Sequence, residues 1–147
     1  MYPDREKALQ DLKKQTSIKN IIIDLRNNPG GSLDEVVKVL HHFVPKGQPS
    51  LVVKSSYGDQ THTSQGSEIY TFGDKKIIFL INPGTASASE ILVTTVKDYH
   101  PSTLIIGEQS YGKGSIQSLY DYEDGSSFKL TIAKWFSGKT QTSIDKE

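Results

Sequence analysis

The chain has 147 residues, 35% of them hydrophobic and 23% charged, with 17 Lys and Arg set against 17 Asp and Glu. A single domain of this length buries roughly 70% of its unfolded surface, enough for a core without disulfide or metal staples. The absence of cysteine excludes thiol nucleophiles, disulfides and cysteine-ligated zinc. The even charge balance gives no general attraction to nucleic acid or acidic membrane, and no apolar run approaches the ~20 residues of a bilayer span.

Asp4 to Gln15 carries Ala8, Leu9 and Leu12 at helical spacing among charges, which predicts a short surface helix with Asp4 as its N-cap. Ile21 to Leu25 is a β-branched run too short for an ordinary helix and is followed by Asn27-Asn28-Pro29-Gly30-Gly31. It reads as a buried strand ending in a glycine turn. Ser32 with Glu35 forms a capping-box signature, and Leu33, Val36, Val37, Leu40 and Phe43 continue the helix it opens, up to Pro45 and Gly47. Leu51 to Lys54 predicts a strand, and the polar stretch Ser55 to Gln65 an exposed hairpin or flap. Ile77 to Ile81 is again a strand, again followed by Asn-Pro-Gly (Asn82-Pro83-Gly84), then by a helix with Ala88, Ile91, Leu92 and Val96. Two such strand-turn-helix units point to an α/β fold with a parallel sheet and right-handed crossovers. Thr103 to Gly107 predicts a third buried strand; Ser115 to Tyr122, the turn Asp124-Gly125 and Phe128 to Lys134 predict a β-hairpin. Without linkers or low-complexity segments, the whole chain reads as one domain.

Several short segments could carry chemistry. Thr85-Ala86-Ser87-Ala88-Ser89 lies where a strand turns into a helix, so Ser87 could project its hydroxyl as a nucleophile beside free N–H groups of the first helical turn. Equally, Ser87 and Glu90 fit a capping box. Gly107 to Lys113 imitates a phosphate-binding loop, but Gly114 replaces the Ser or Thr that would hold Mg²⁺, and Ser115 to Tyr120 alternates like a strand rather than opening a helix. Lys113 could instead be a general base, if desolvated, or a solvated turn lysine. Gly30 and Gly31 could offer N–H groups to an oxyanion, with Ala88 supplying another, or could simply end a strand. His41, His42, His62 and His100 form no metal-ligand spacing; His100 with Asp98 and a serine would be a weakly supported triad.

Taken together, Asp24 to Gly31, Thr85 to Ile91 and Tyr111 to Gln117 resemble, in order, the three signature blocks of the carboxyl-terminal processing peptidases, also called tail-specific proteases (serine peptidase family S41). The resemblance runs from about residue 5 to residue 144. It implies a ClpP/crotonase-type fold over residues 1–147, a partial catalytic core without the PDZ domain typical of the family. It also implies serine endopeptidase action near protein C-termini, through a Ser/Lys dyad and with no cofactor. Carried onto this sequence, the nucleophile is Ser87 rather than its neighbour Ser89, the general base is Lys113, its orienting residue is Gln117, and the oxyanion donors are the N–H groups of Gly30 and Ala88. A lysine base must act uncharged, which calls for burial; Ile105, Ile106, Tyr111 and Ile116 are the expected walls. The partners implied are protein or peptide substrates and no nucleic acid, with open sheet edges as a route to homo-oligomers. The family's habit implies an extracytoplasmic location. The alternative within the same fold is a non-catalytic core that binds peptides or other ligands.

Overall fold

The computed structural model describes residues 7, 8, 11, 12, 14, 15, 17–66 and 75–145. The helix expected over Asp4 to Gln15 lies partly outside them; of the described residues there, 7, 8, 11, 12 and 14 are helical. The elements that follow are β1 (Asn20–Asp24), α1 (Leu33–Leu40), β2 (Pro49–Ser55), β3 (Gly58–Thr63), β4 (Lys76–Ile81), α2 (Ala88–Tyr99), β5 (Leu104–Gly107), β6 (Ser115–Asp121) and β7 (Ser127–Ser137). The fold is α/β, as expected, and both strand-turn-helix units are present.

β1, β4 and β5 form a parallel sheet in the order β1-β4-β5. Ser55 to Gln65, expected as an exposed hairpin or flap, supplies the turn and second strand of a hairpin whose first strand is β2; this β2–β3 hairpin joins the β6–β7 hairpin in an antiparallel sheet ordered β3-β2-β7-β6. Leu40, Phe43, Ile91 and Val96, from the helices and the turn after α1, share one apolar core with Ile77 and Phe79 of the parallel sheet and Leu51 and Trp135 of the antiparallel sheet. Each such side chain, removed from water, contributes about 1.5–3 kcal/mol.

Two strands differ from the expectation of full burial. Ile21, Ile77 and Phe79 point into the core, but the opposite face of the parallel sheet leaves Ile22 64% exposed, Leu104 40% and Ile106 50%. The composition of a strand cannot distinguish one covered face from two; β-branched residues satisfy both.

The two Asn-Pro-Gly corners lie side by side at the carboxyl ends of β1 and β4. Asn27 N–H donates to Asn82 Oδ1 at 2.8 Å, and Asn82 Nδ2 returns a bond to Asn27 Oδ1 at 2.9 Å. Ala86 N–H donates to the Asn28 carbonyl at 3.0 Å, and the buried Thr85 hydroxyl to the Leu25 carbonyl at 2.7 Å. Elements distant in sequence are thereby joined at one sheet edge, where α/β folds place their ligand sites.

Candidate active site

At the start of α2, Ser87 is the N-cap residue and has φ +55° and ψ −119°. An ordinary N-cap holds extended backbone; positive φ at a side-chain-bearing residue is strained and persists only where the surroundings enforce it. Those surroundings are visible. A Cβ placed on Gly30, itself at φ +93°, would sit 2.6 Å from the Ala86 carbonyl oxygen and 2.7 Å from Ala88 N. The glycine turn after β1 thus presses directly against the serine corner, an approach only glycine permits. Glu90 also caps this corner, its side chain accepting the Ser87 N–H, so the two readings of this serine coexist.

Glu90 does more than cap. Its carboxylate is buried, with the residue only 2% exposed, and it accepts three backbone N–H groups. Oε2 takes those of Ser87 at 2.7 Å and Lys113 at 3.0 Å, and Oε1 takes that of Gly112 at 2.6 Å. One carboxylate therefore ties the serine corner to the lysine loop. The same bonds dispose of the phosphate-loop reading: the amides of Gly112 and Lys113 already hold an anion, and a strand, β6, follows them. Trp135 anchors the loop from the other side, its indole N–H donating to the Lys113 carbonyl at 2.9 Å and its backbone N–H to the Gly114 carbonyl at 3.0 Å.

Ser87, Ala88, Lys113 and Gln117 line one open cleft of about 370 Å³, together with Gly31, Ser32, Leu33, Ile91, Ser115, Ile116, Lys129 and Trp135. Four of the five expected site residues therefore line one cleft, and the fifth, Gly30, is outside its lining but packed against the Ser87 corner, with qualifications that the sequence did not contain. No hydrogen bond joins Ser87 Oγ to Lys113 Nζ, and the Gln117 side chain is exposed and does not contact the lysine through a hydrogen bond. Ala88 N–H is unengaged, whereas Gly30 N–H donates to Asn28 Oδ1 at 3.0 Å. Of the expected walls only Ile116 lines the cleft. Ile105, Ile106 and Tyr111 are 43%, 50% and 62% exposed: β5 is an edge strand of the parallel sheet, with Ile106 on its uncovered face and Ile105 beside Phe79 at the open margin of the other, and Tyr111 lies in the loop beyond the strand. Lys113 is half-buried instead.

A register slip places Ile116 opposite Ala133 but Gln117 opposite Thr131, which leaves Ile132 as an extra residue on β7. Such a bulge re-aims the side chains beside it, here where β6 passes the cleft. At the end of β1, hydrogen bonds from the Arg26 side chain hold the exposed Asp24 carboxyl down at about 2; the pair braces the turn and faces solvent.

His100 takes no part in the site. Its Nε2 lies 2.9 Å from the Phe43 carbonyl oxygen, and Asp98 accepts the Thr140 hydroxyl at 2.8 Å, so both are occupied elsewhere. Among the described residues no group of three or more His, Asp or Glu side chains could hold a metal ion. No helix among them is long and apolar enough to cross a membrane. Sequence reasoning missed Trp135 and Lys129 as cleft residues and the bridging role of Glu90. The signal for Glu90 was visible only as a capping partner.

Comparison with known proteins gives concordant results. The sequence model of peptidase family S41 matches residues 1–147. A probable CtpA-like serine protease of Staphylococcus epidermidis is 38% identical over 120 residues, which is 82% of this chain and 24% of that protein. The chain thus spans about a quarter of the length of this curated relative. Among solved structures, a photosystem II D1 C-terminal processing protease superposes with a TM-score of 0.74 at 27% identity, covering 99% of this chain and 37% of the other. A lipoprotein from Streptococcus agalactiae has the same fold, with a TM-score of 0.65 at 20% identity over 89% of this chain and 48% of its own.

Proposed function

This chain belongs to peptidase family S41, and from that premise we propose that it is the catalytic core of a serine endopeptidase that cleaves proteins near their C-termini with a Ser87/Lys113 dyad. The observation that carries the proposal is the strained Ser87 corner, at φ +55°, with an unengaged Ala88 N–H beside it and Lys113 lining the same cleft. A cap alone requires no such backbone; a hydroxyl that must stand clear of its helix does.

In this mechanism the uncharged Lys113 amine takes the Ser87 proton, and Oγ attacks the scissile carbonyl. The oxyanion is held by Ala88 N–H and by Gly30 N–H, which exchanges the neutral Asn28 oxygen for the stronger charged acceptor. Lys113 then gives the proton to the leaving amine, and water hydrolyses the ester. Closing the space between Ser87 and Lys113 falls to the bound substrate, since catalytic hydrogen bonds commonly tighten only in the complex. Gln117 orients the amine once it has moved. The substrates are proteins or peptides, and the setting is extracytoplasmic, a reading that rests on membership of the family.

A fluorophosphonate probe tests the proposal: labelling of Ser87 that disappears in Lys113→Ala is expected. The missing Ser87–Lys113 hydrogen bond favours one second reading, a peptide-binding core without hydrolysis. It predicts a folded wild-type chain that binds peptide and is never labelled.

A further inference from the structure

The walls of the cleft over Ser87 carry two lysines, Lys113 and Lys129, and no acidic side chain. Lys129 stands on β7 opposite Leu119, one row beyond the Gln117–Thr131 pair. Strand alternation therefore puts it on the same face of the hairpin as Gln117. It is exposed and forms no ion pair or hydrogen bond through its side chain among the described residues. The nearest acid along the hairpin, Asp121, lies one row further out and already accepts the Ser127 hydroxyl at 2.7 Å.

A cleft whose lining carries positive charge and no acidic side chain favours an anionic ligand group, the Glu90 carboxylate behind it being buried and taken up by three backbone N–H groups. Because Lys113 acts uncharged in the proposed reaction, the lasting positive charge is that of Lys129. We propose that Lys129 is a specificity-determining residue whose ammonium holds a carboxylate of the substrate while the scissile carbonyl lies over Ser87. The inference rests on the peptidase reading above and adds the substrate feature that the cleft selects. A lysine is a point charge that imposes little geometry, so both a C-terminal carboxylate and an Asp or Glu side chain satisfy it. Successive rows on one face of a strand are about 7 Å apart, the length of about two residues of extended peptide. Lys129 lies one such row beyond Gln117 in the cleft that also holds Ser87, which places the carboxylate within a few residues of the scissile bond.

The test uses quenched fluorescent peptides that differ only by Glu against Gln, moved through about three residues on either side of the scissile bond, plus one pair ending in a free carboxylate or a carboxamide. At one position the acid is expected to raise kcat/KM about three- to fivefold, and which pair responds identifies the carboxylate's source. The ratio should shrink between about 50 mM and about 500 mM salt. It should fall to about one in Lys129→Met, survive in Lys129→Arg and invert in Lys129→Glu. Peptide cleavage that depends on Ser87 but shows no acidic preference, or a preference unchanged in Lys129→Met, overturns the role of Lys129 and leaves the peptidase reading intact. A folded chain that cleaves none of the peptides and takes no fluorophosphonate overturns both.

Discussion

Replacing Glu90 by Gln tests whether one buried carboxylate holds the serine corner and the lysine loop together. The side chain keeps its length but has a single acceptor oxygen. If that oxygen takes the place of Oε2, it keeps the Ser87 and Lys113 amides as neutral hydrogen bonds, each weaker by about 1 kcal/mol than the charged bond it replaces. The new NH₂ then faces Gly112 N–H, donor against donor, where the carboxylate accepted at 2.6 Å. A stranded buried donor costs about 1–3 kcal/mol. Relief from no longer burying a charge offsets part of this sum, and the net destabilisation should be about 2–3 kcal/mol. A domain stable by about 5–15 kcal/mol remains folded after such a loss. Urea unfolding would show a lower midpoint with an unchanged slope, and hydrogen exchange would show reduced protection at Ser87, Gly112 and Lys113. Fluorophosphonate labelling of Ser87 should slow by about 100-fold, as expected for displacement of a catalytic group by about 1 Å. A variant with wild-type midpoint, exchange and labelling rate would refute the bridging role.

Two further outcomes follow from the same geometry. Gly30→Ala drives a methyl group into the backbone of Ala86 and Ala88 at a residue with φ +93°; it should cost about 1–3 kcal/mol in urea unfolding and abolish Ser87 labelling, whereas Gly47→Ala, also at positive φ but with nothing near its Cβ, should retain labelling. Burial is the largest influence on His100 and lowers its titration, outweighing the Phe43 carbonyl that raises it. The unfolded chain therefore takes up this proton at higher pH than the folded one, so the stability that His100 supplies is complete above about 6.5 and is lost as the pH falls through the lower folded value. Unfolding free energy measured from about pH 7.5 to about pH 5 should decline, and His100→Gln should flatten the decline. His41, lowered by burial and then by the charge of His42, accounts for a remaining slope in the same direction. A curve identical in the His100 variant would exclude the assignment.

The local elements were legible in the sequence because their causes are local. The β-branched run at Ile21 to Ile23, the helix start at Ser32, the Asp124-Gly125 turn and the two Asn-Pro-Gly corners depend on residues within a few positions of one another, and each produced the expected strand, helix or turn, although Ser32 makes no side-chain capping bond and Glu35 pairs with Lys38 instead. The three blocks that carry Gly30, then Ser87, then Lys113 and Gln117 were legible as motifs for the same reason. Only the tertiary structure decided what lies across the gaps: that Asn27 pairs with Asn82, that Glu90 captures the amides of Gly112 and Lys113, and that Lys129 and Trp135 line the same cleft as the serine. It also reversed the environment of Ile105 and Ile106, since apolar character makes a strand suitable for burial but a second layer must be present to bury it. Propensity acts over a few bonds, whereas burial and charge environment belong to whichever distant segments the fold brings together.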